Sequence, residues 1–221
     1  MGPTNAIINM NYVKDVDQIL MAAKIGDYDA MLQLGIEYVH IMIDIRRDDE
    51  SDSELKAYHD AIDDMGTMMI YALFWLEHAE KASDINIKRQ ANYWLGKCMF
   101  LYNDAAGSSR GYIRLMFDEI KKADSLISRI EKERDSFLYR FLYDDVFSYT
   151  AMLDFYRKAS SLGDESAAYR LGSHFLQKWL NTPDDTQYFL EAKKYLSAAI
   201  LPKEEYALED LFDALERSNS N

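Results

Sequence analysis

Met152-Leu153-Asp154-Phe155-Tyr156-Arg157-Lys158-Ala159-Ser160-Ser161-Leu162-Gly163-Asp164-Glu165-Ser166-Ala167-Ala168-Tyr169-Arg170-Leu171-Gly172-Ser173-His174-Phe175 decides the fold. Met152, Phe155, Tyr156 and Ala159 recur at i, i+3, i+4 and i+7, which places them on one face of an α-helix. Gly163 ends that helix, because glycine enters the left-handed conformation of a helix C-terminus without a steric penalty. Ala167, Leu171, Phe175 and Trp179 then follow at four-residue intervals and mark the apolar face of a second helix. The stretch is a helix hairpin with small residues at its contact.

The same spacing recurs elsewhere, and a repeat changes the reading of the whole chain. Gly26, Ala30, Leu34 and Gly35 share the offsets 0, +4, +8 and +9 with Gly163, Ala167, Leu171 and Gly172. Ile87, Ala91, Leu95 and Gly96 form a third copy in which isoleucine replaces the leading glycine. An aromatic residue follows the Leu-Gly pair at or near the third position: Tyr38, Phe100 and Phe175. The partner helices carry a small-aromatic-small pattern, seen in Ala72, Trp75 and Ala79 and in Ala192, Tyr195 and Ala199. Ala192 falls 20 residues after Gly172, whereas 37 residues separate Gly35 from Ala72, and this excess contains a charged loop over Asp44–Glu54. Gly96 and Gly172 are 76 residues apart, room for one degenerate repeat between them.

The spacing therefore predicts an all-α chain with a capping helix near Val13–Lys24 and four hairpins: 27–45 with 54–82, 87–102 with 111–124, 126–143 with 147–161, and 164–180 with 187–200. A last helix over about 203–217 closes the end. Taken together, residues 1–221 form a single helical-repeat domain, with a cap to residue 25, repeats over 26–201, a capping helix over 202–217 and a tail over 218–221. Thr182-Pro183-Asp184-Asp185 reads as a helix start with proline in the first helical position, and Asn103–Gly111 reads as a loop.

Composition agrees with this outline. Nine glycines and three prolines in 221 residues leave few turn formers, and 48% hydrophobic residues are enough to build a core. The net charge of −13 removes the main driving force for sequence-independent nucleic-acid binding. Acid is concentrated between Asp44 and Asp64, with nine acids against three bases, and again from Lys203 onward, with six against two. Such stretches are either solvated faces or docking surfaces for a basic partner. One cysteine, Cys98, precludes an internal disulfide and fits a reducing compartment. Met1–Asp15 lacks a secretory pattern, Pro3 and Ala6 do not fit a myristoylation signal, and no 18-residue uncharged run is present, so a cytoplasmic protein is expected.

The residues Ala167 to Gly172, Phe155 to Ala159 with Gly163, Ala30 to Gly35 with Tyr38, Ala91 to Gly96, and Ala192 to Ala199 give the chain a pattern that resembles the Sel-one-like repeat family, relatives of the tetratricopeptide repeats. The resemblance covers about Met152–Ile200 and Ile25–Tyr102 and is poor over Gly107–Thr150. It implies a right-handed α-solenoid of about four helix-turn-helix repeats with capping helices at both ends, and a concave face that binds another protein. The function it implies is an adaptor, scaffold or inhibitor of a bacterial type, such as an effector-related or toxin-neutralising protein, with no enzymatic activity and no cofactor.

Motifs of chemistry are sparse. His40 with Asp44, His59 with Asp63, and Glu77 with His78 place metal-type ligands on helices, but paired Glu-x-x-His motifs are missing. A hydrolase or metal enzyme built on these residues is the alternative reading, and a structural homo-oligomer is another. Asp48, Glu50, Asp52 and Glu54 alternate without the glycine of a calcium loop. Nothing in the sequence lowers the pKa of Cys98, which reads as a small buried hydrophobe. Phe137, Tyr139, Phe141, Tyr143, Phe147 and Tyr149 put six aromatics in thirteen residues, and such a helix is either buried on all sides or partly reserved for a partner. If it meets a partner, Tyr139 and Tyr143 are the anchors and Arg140, Asp144 and Asp145 the polar rim. Asp48, Asp49 and Glu50 are the acidic candidates for docking. The expected partner is another protein with a basic surface; neither nucleic acid nor membrane is expected.

Overall fold

Two short turns show how the chain is built. Gly26 and Gly163 have φ of +104° and +88°, the region that favours glycine. Each ends a helix in the same way: the glycine N–H donates to the carbonyl three residues back, and the following aspartate N–H to the carbonyl five residues back. The aspartate then caps the next helix through its carboxylate. Asp27 accepts from the N–H groups of Asp29 and Ala30, and Asp164 from that of Ala167 at 2.8 Å. Asp84, Asp144 and Asp185 cap three further helices in the same manner. These five aspartates place negative charge at helix N-termini, where it meets the positive end of the helix dipole.

A computed structural model describes residues 18–49, 55–104, 107–123 and 137–199. All regular structure among them is helical: α1 over 18–24, α2 Tyr28–Asp49, α3 Leu55–Ala79, α4 Ile85–Asp104, α5 Gly107–Ala123, α6 Phe137–Tyr143, α7 Asp145–Ser161, α8 Glu165–Asn181 and α9 Thr186–Ala198. The all-α expectation agrees with this order, and the pairs α2 with α3 and α8 with α9 match the first and last expected hairpins; residues 126–136 of the third expected hairpin lie outside the described residues. Val13 and the expected helix over 203–217 lie outside the described residues. The chain divides into two compact units, Met1–Met152 and Leu153–Asn221, with the division inside α7.

In the first unit α2 packs along α3, and α3 also lies on α4 and α5. Its core is formed by fully buried residues such as Met42, Ile70, Leu73, Leu95, Met99, Ile113 and Phe117. In the second unit the main pair is α8 with α9, around Ala167, Leu171, Ala192 and Leu196. The Leu-Gly mark has the same structural meaning in both. A Cβ on Gly35 would stand 2.5 Å from Leu76 Cγ, and one on Gly172 would stand 2.5 Å from Leu196 Cγ. The leucine that fills each gap follows the aromatic of the partner helix, Trp75 or Tyr195. Glycine is needed because the neighbouring helix occupies the volume of a methyl group. The aromatic three residues on stacks across the same crossing: Tyr38 on Tyr71 at 5.4 Å, and Phe175 on Tyr195 at 5.9 Å.

Several boundaries differ from those the sequence suggests. The charged loop expected over Asp44–Glu54 is helical as far as Asp49, and most of the long excess extends helices: α2 and α3 have 22 and 25 residues against 17 and 13 in α8 and α9. The added length of α3 carries Gly66 onto α5, where a Cβ would come within 3.3 Å of Ile113 Cγ1. The loop expected over Asn103–Gly111 is also shorter, because α4 continues to Asp104 and α5 begins at Gly107. Arg110 Nη2 donates to the Asn103 carbonyl at 2.7 Å and so caps the end of α4 from within α5. Pro183 is not the first residue of a helix; Asp185 is the cap, and the Pro183 carbonyl accepts from the Trp179 indole at 3.2 Å. None of the described helices is long and apolar enough to cross a membrane.

Candidate functional site

The aromatic stretch is not one helix. It breaks at Asp144, whose carboxylate caps α7 through the Phe147 N–H at 2.9 Å. Leu138, Phe141 and Leu142 are buried, while Tyr143, Val146 and Tyr149 face outward. Tyr139 is half-buried and stacks on Tyr143 with ring centroids 4.6 Å apart, and Tyr143 Oη donates to Asp118 Oδ1 at 3.3 Å. The exposed Arg140 lies 3.9 Å over the Phe147 ring.

The junction of α6 and α7 is tied to α4 and α5 by polar groups. The Leu142 carbonyl, at the unsatisfied end of α6, accepts from Arg114 Nε and from Tyr102 Oη. Arg114 Nη2 also donates to Asp145 Oδ1 at 2.9 Å, and Arg110 reaches the same carboxylate at 3.5 Å. Burial pushes the Tyr102 hydroxyl above its ordinary pKa, against the opposing charges of Arg114 and Arg110, so it stays a neutral donor. Buried Ser148 completes the junction, its hydroxyl 2.9 Å from Asn103 Oδ1. Asp144 and Asp145 therefore have positions inside the chain's own framework, and Tyr139, Arg140 and Tyr143 pack on neighbours within it. Asp48 and Asp49 end α2 with side chains outside the described residues, and Glu50 lies outside them altogether.

The metal-type residues that can be placed are similarly engaged. His40 meets the Trp94 ring edge-on at 5.1 Å, His78 Nδ1 is 2.8 Å from the Phe74 carbonyl, and Glu77 pairs with Lys81 at 3.2 Å. The side chains of Asp44, His59 and Asp63 lie outside the described residues, and no group of three metal-type ligands occurs among the described ones. Cys98 is fully buried, and desolvation pushes its thiol far above the ordinary value, which suppresses the reactive thiolate.

An open groove of about 430 Å³ lies in the second unit, on α8 and α9 with Arg157 of α7 at its edge. Phe175 from α8 forms its floor, with Tyr195 of α9 stacked at 5.9 Å and 12° and Tyr188 at 6.3 Å and 23°. Gln187, Tyr188, Glu191, Lys194 and Tyr195 share one face of α9 by helical spacing. Cations stand against the rings: Arg157 of α7 is 5.9 Å from the Phe175 centroid, and Lys194 Nζ is 4.7 Å from that of Tyr195. Arg157 pairs with Asp154 at 2.8 Å and Lys194 with Glu191 at 3.7 Å. Next to Phe175, His174 is held below its ordinary pKa first by burial and then by the charges of Lys178 and Arg157, a sign of positive potential on this side of α8.

Sequence reading missed this groove because its aromatics follow the same helical spacing that marks a packing face. The available signal was the mixing of Tyr188 and Tyr195 with Gln187, Glu191 and Lys194 on one helical face, where a purely internal face would be apolar throughout. No known protein-family model, curated protein or solved structure matches the chain.

Proposed function

We propose that the chain is a non-catalytic interaction module that holds a segment of a partner protein against the second unit. The observation that carries this reading is the groove over Phe175, Tyr188 and Tyr195. The half-buried ring of Tyr188 lines this groove with Arg157, Glu191 and Lys194, over the buried rings of Phe175 and Tyr195 at the crossing that Gly172 and Leu196 close. Aromatic area beside polar tips is the composition of binding hot spots. The repeated Gly-Asp turn and Leu-Gly crossing support a helical-repeat scaffold of the Sel-one-like kind, with about four hairpins in a right-handed solenoid. An adaptor, scaffold or inhibitor is the role that fits such a scaffold, and toxin neutralisation or an effector-related role in a bacterial setting follows from the family analogy.

The test is recovery of partners on the full chain from its native source, with Tyr188→Ala run in parallel and melting temperature as the folding control. A stoichiometric protein that binds the wild type and is lost with the variant, at unchanged melting temperature, is the expected result. Failure to recover any protein whose retention depends on Tyr188 overturns the reading.

A further inference from the structure

No further inference is drawn: the strongest candidate, the side-chain cluster of Arg110 and Arg114 on α5 beside the N-terminus of α7, carries nothing because both guanidinium groups are engaged by Asp145 and by the Asn103 and Leu142 carbonyls, and nothing in the structure points to a ligand there.

Discussion

The two glycine-marked crossings use the same contact for different ends. Gly35 against Leu76 and Gly172 against Leu196 are equivalent in spacing, in the 2.5 Å that a Cβ would leave, and in the aromatic that stacks three residues later. They differ in what surrounds them. In the first unit α3 runs for 25 residues and carries Gly66 onto α5, so the added length is used in further packing. In the second, α9 has 13 residues, and its outer face leaves Phe175, Tyr188 and Tyr195 lining an open groove. A repeated local contact builds both helix pairs, and the length of the neighbouring helix sets how much further packing adjoins it.

The strongest challenge to this equivalence is Gly172→Ala. Helix propensity alone favours alanine by about 1 kcal/mol. The new methyl, however, meets Leu196 Cγ at 2.5 Å and the Leu196 backbone nitrogen at 3.0 Å, in the main pair of the unit. Overpacking outweighs propensity, and a net loss of about 2 kcal/mol is expected in denaturant unfolding. Gly35→Ala should lose less, because its nearest backbone atom, Leu76 N, is at 3.3 Å. If both variants are more stable than wild type, the contact does not define the fold. Combining Gly172→Ala with Leu196→Ala should cost less than the sum of the single changes, since the smaller side chain leaves room for the methyl.

A smaller effect is expected at the polar junction that has no counterpart described in the second unit. Arg114→Ala removes donors to the Leu142 carbonyl and to Asp145, both at the α6–α7 junction, and should cost about 1.5 kcal/mol. Arg114→Lys should recover only part of it, because an ammonium lacks the planar fork that reaches two acceptors. Full recovery by lysine would show that charge alone matters there. Next in size are the paired caps: Asp27→Ala and Asp164→Ala should each cost about 1 kcal/mol, and Asn at either position should restore most of it. A large difference between the two would break the equivalence of the turns.

The smallest effect is a pH slope carried by His174. Its folded-state pKa lies below the ordinary 6.5 because burial, then Lys178 and Arg157, disfavour the charged ring. The folded state thus binds this proton less tightly than the unfolded chain, so His174 adds no penalty above pH 6.5 and stability declines as pH falls beneath that value. His174→Gln should make the decline shallower in denaturant unfolding measured across the window just below 6.5, and an unchanged slope would show that His174 is not the group responsible.

Legibility followed the range of the interactions. Gly26, Gly163, Ala167 and Gly172 were readable because turn chemistry and close helix contact impose residue types at fixed offsets, and the helices lie nearly where those offsets put them. The leucines that fill the crossings, Leu76 and Leu196, carry no mark in the sequence, since leucine on a helix face is common and only the crossing point gives these two their role. The same limit applies to the contacts of Asp144 and Asp145 within the chain. Their cap and their arginine partners, 31 residues away for Arg114 and Asp145, depend on how α5 meets α6 and α7.

By itself the sequence determined the helical class, the hairpin turns and the places where backbones approach, because periodicity and the steric demands of glycine act over a few residues. The tertiary structure decided which aromatics are enclosed and which line a groove. Phe141 and Tyr188 are both aromatic residues on amphipathic helices, but Phe141 is enclosed against Tyr102 at 4.7 Å while Tyr188, stacked on Phe175 at 6.3 Å, stays half-buried in the lining of a groove. That distinction depends on which helix lies across each ring and how far it extends, and no local spacing encodes it.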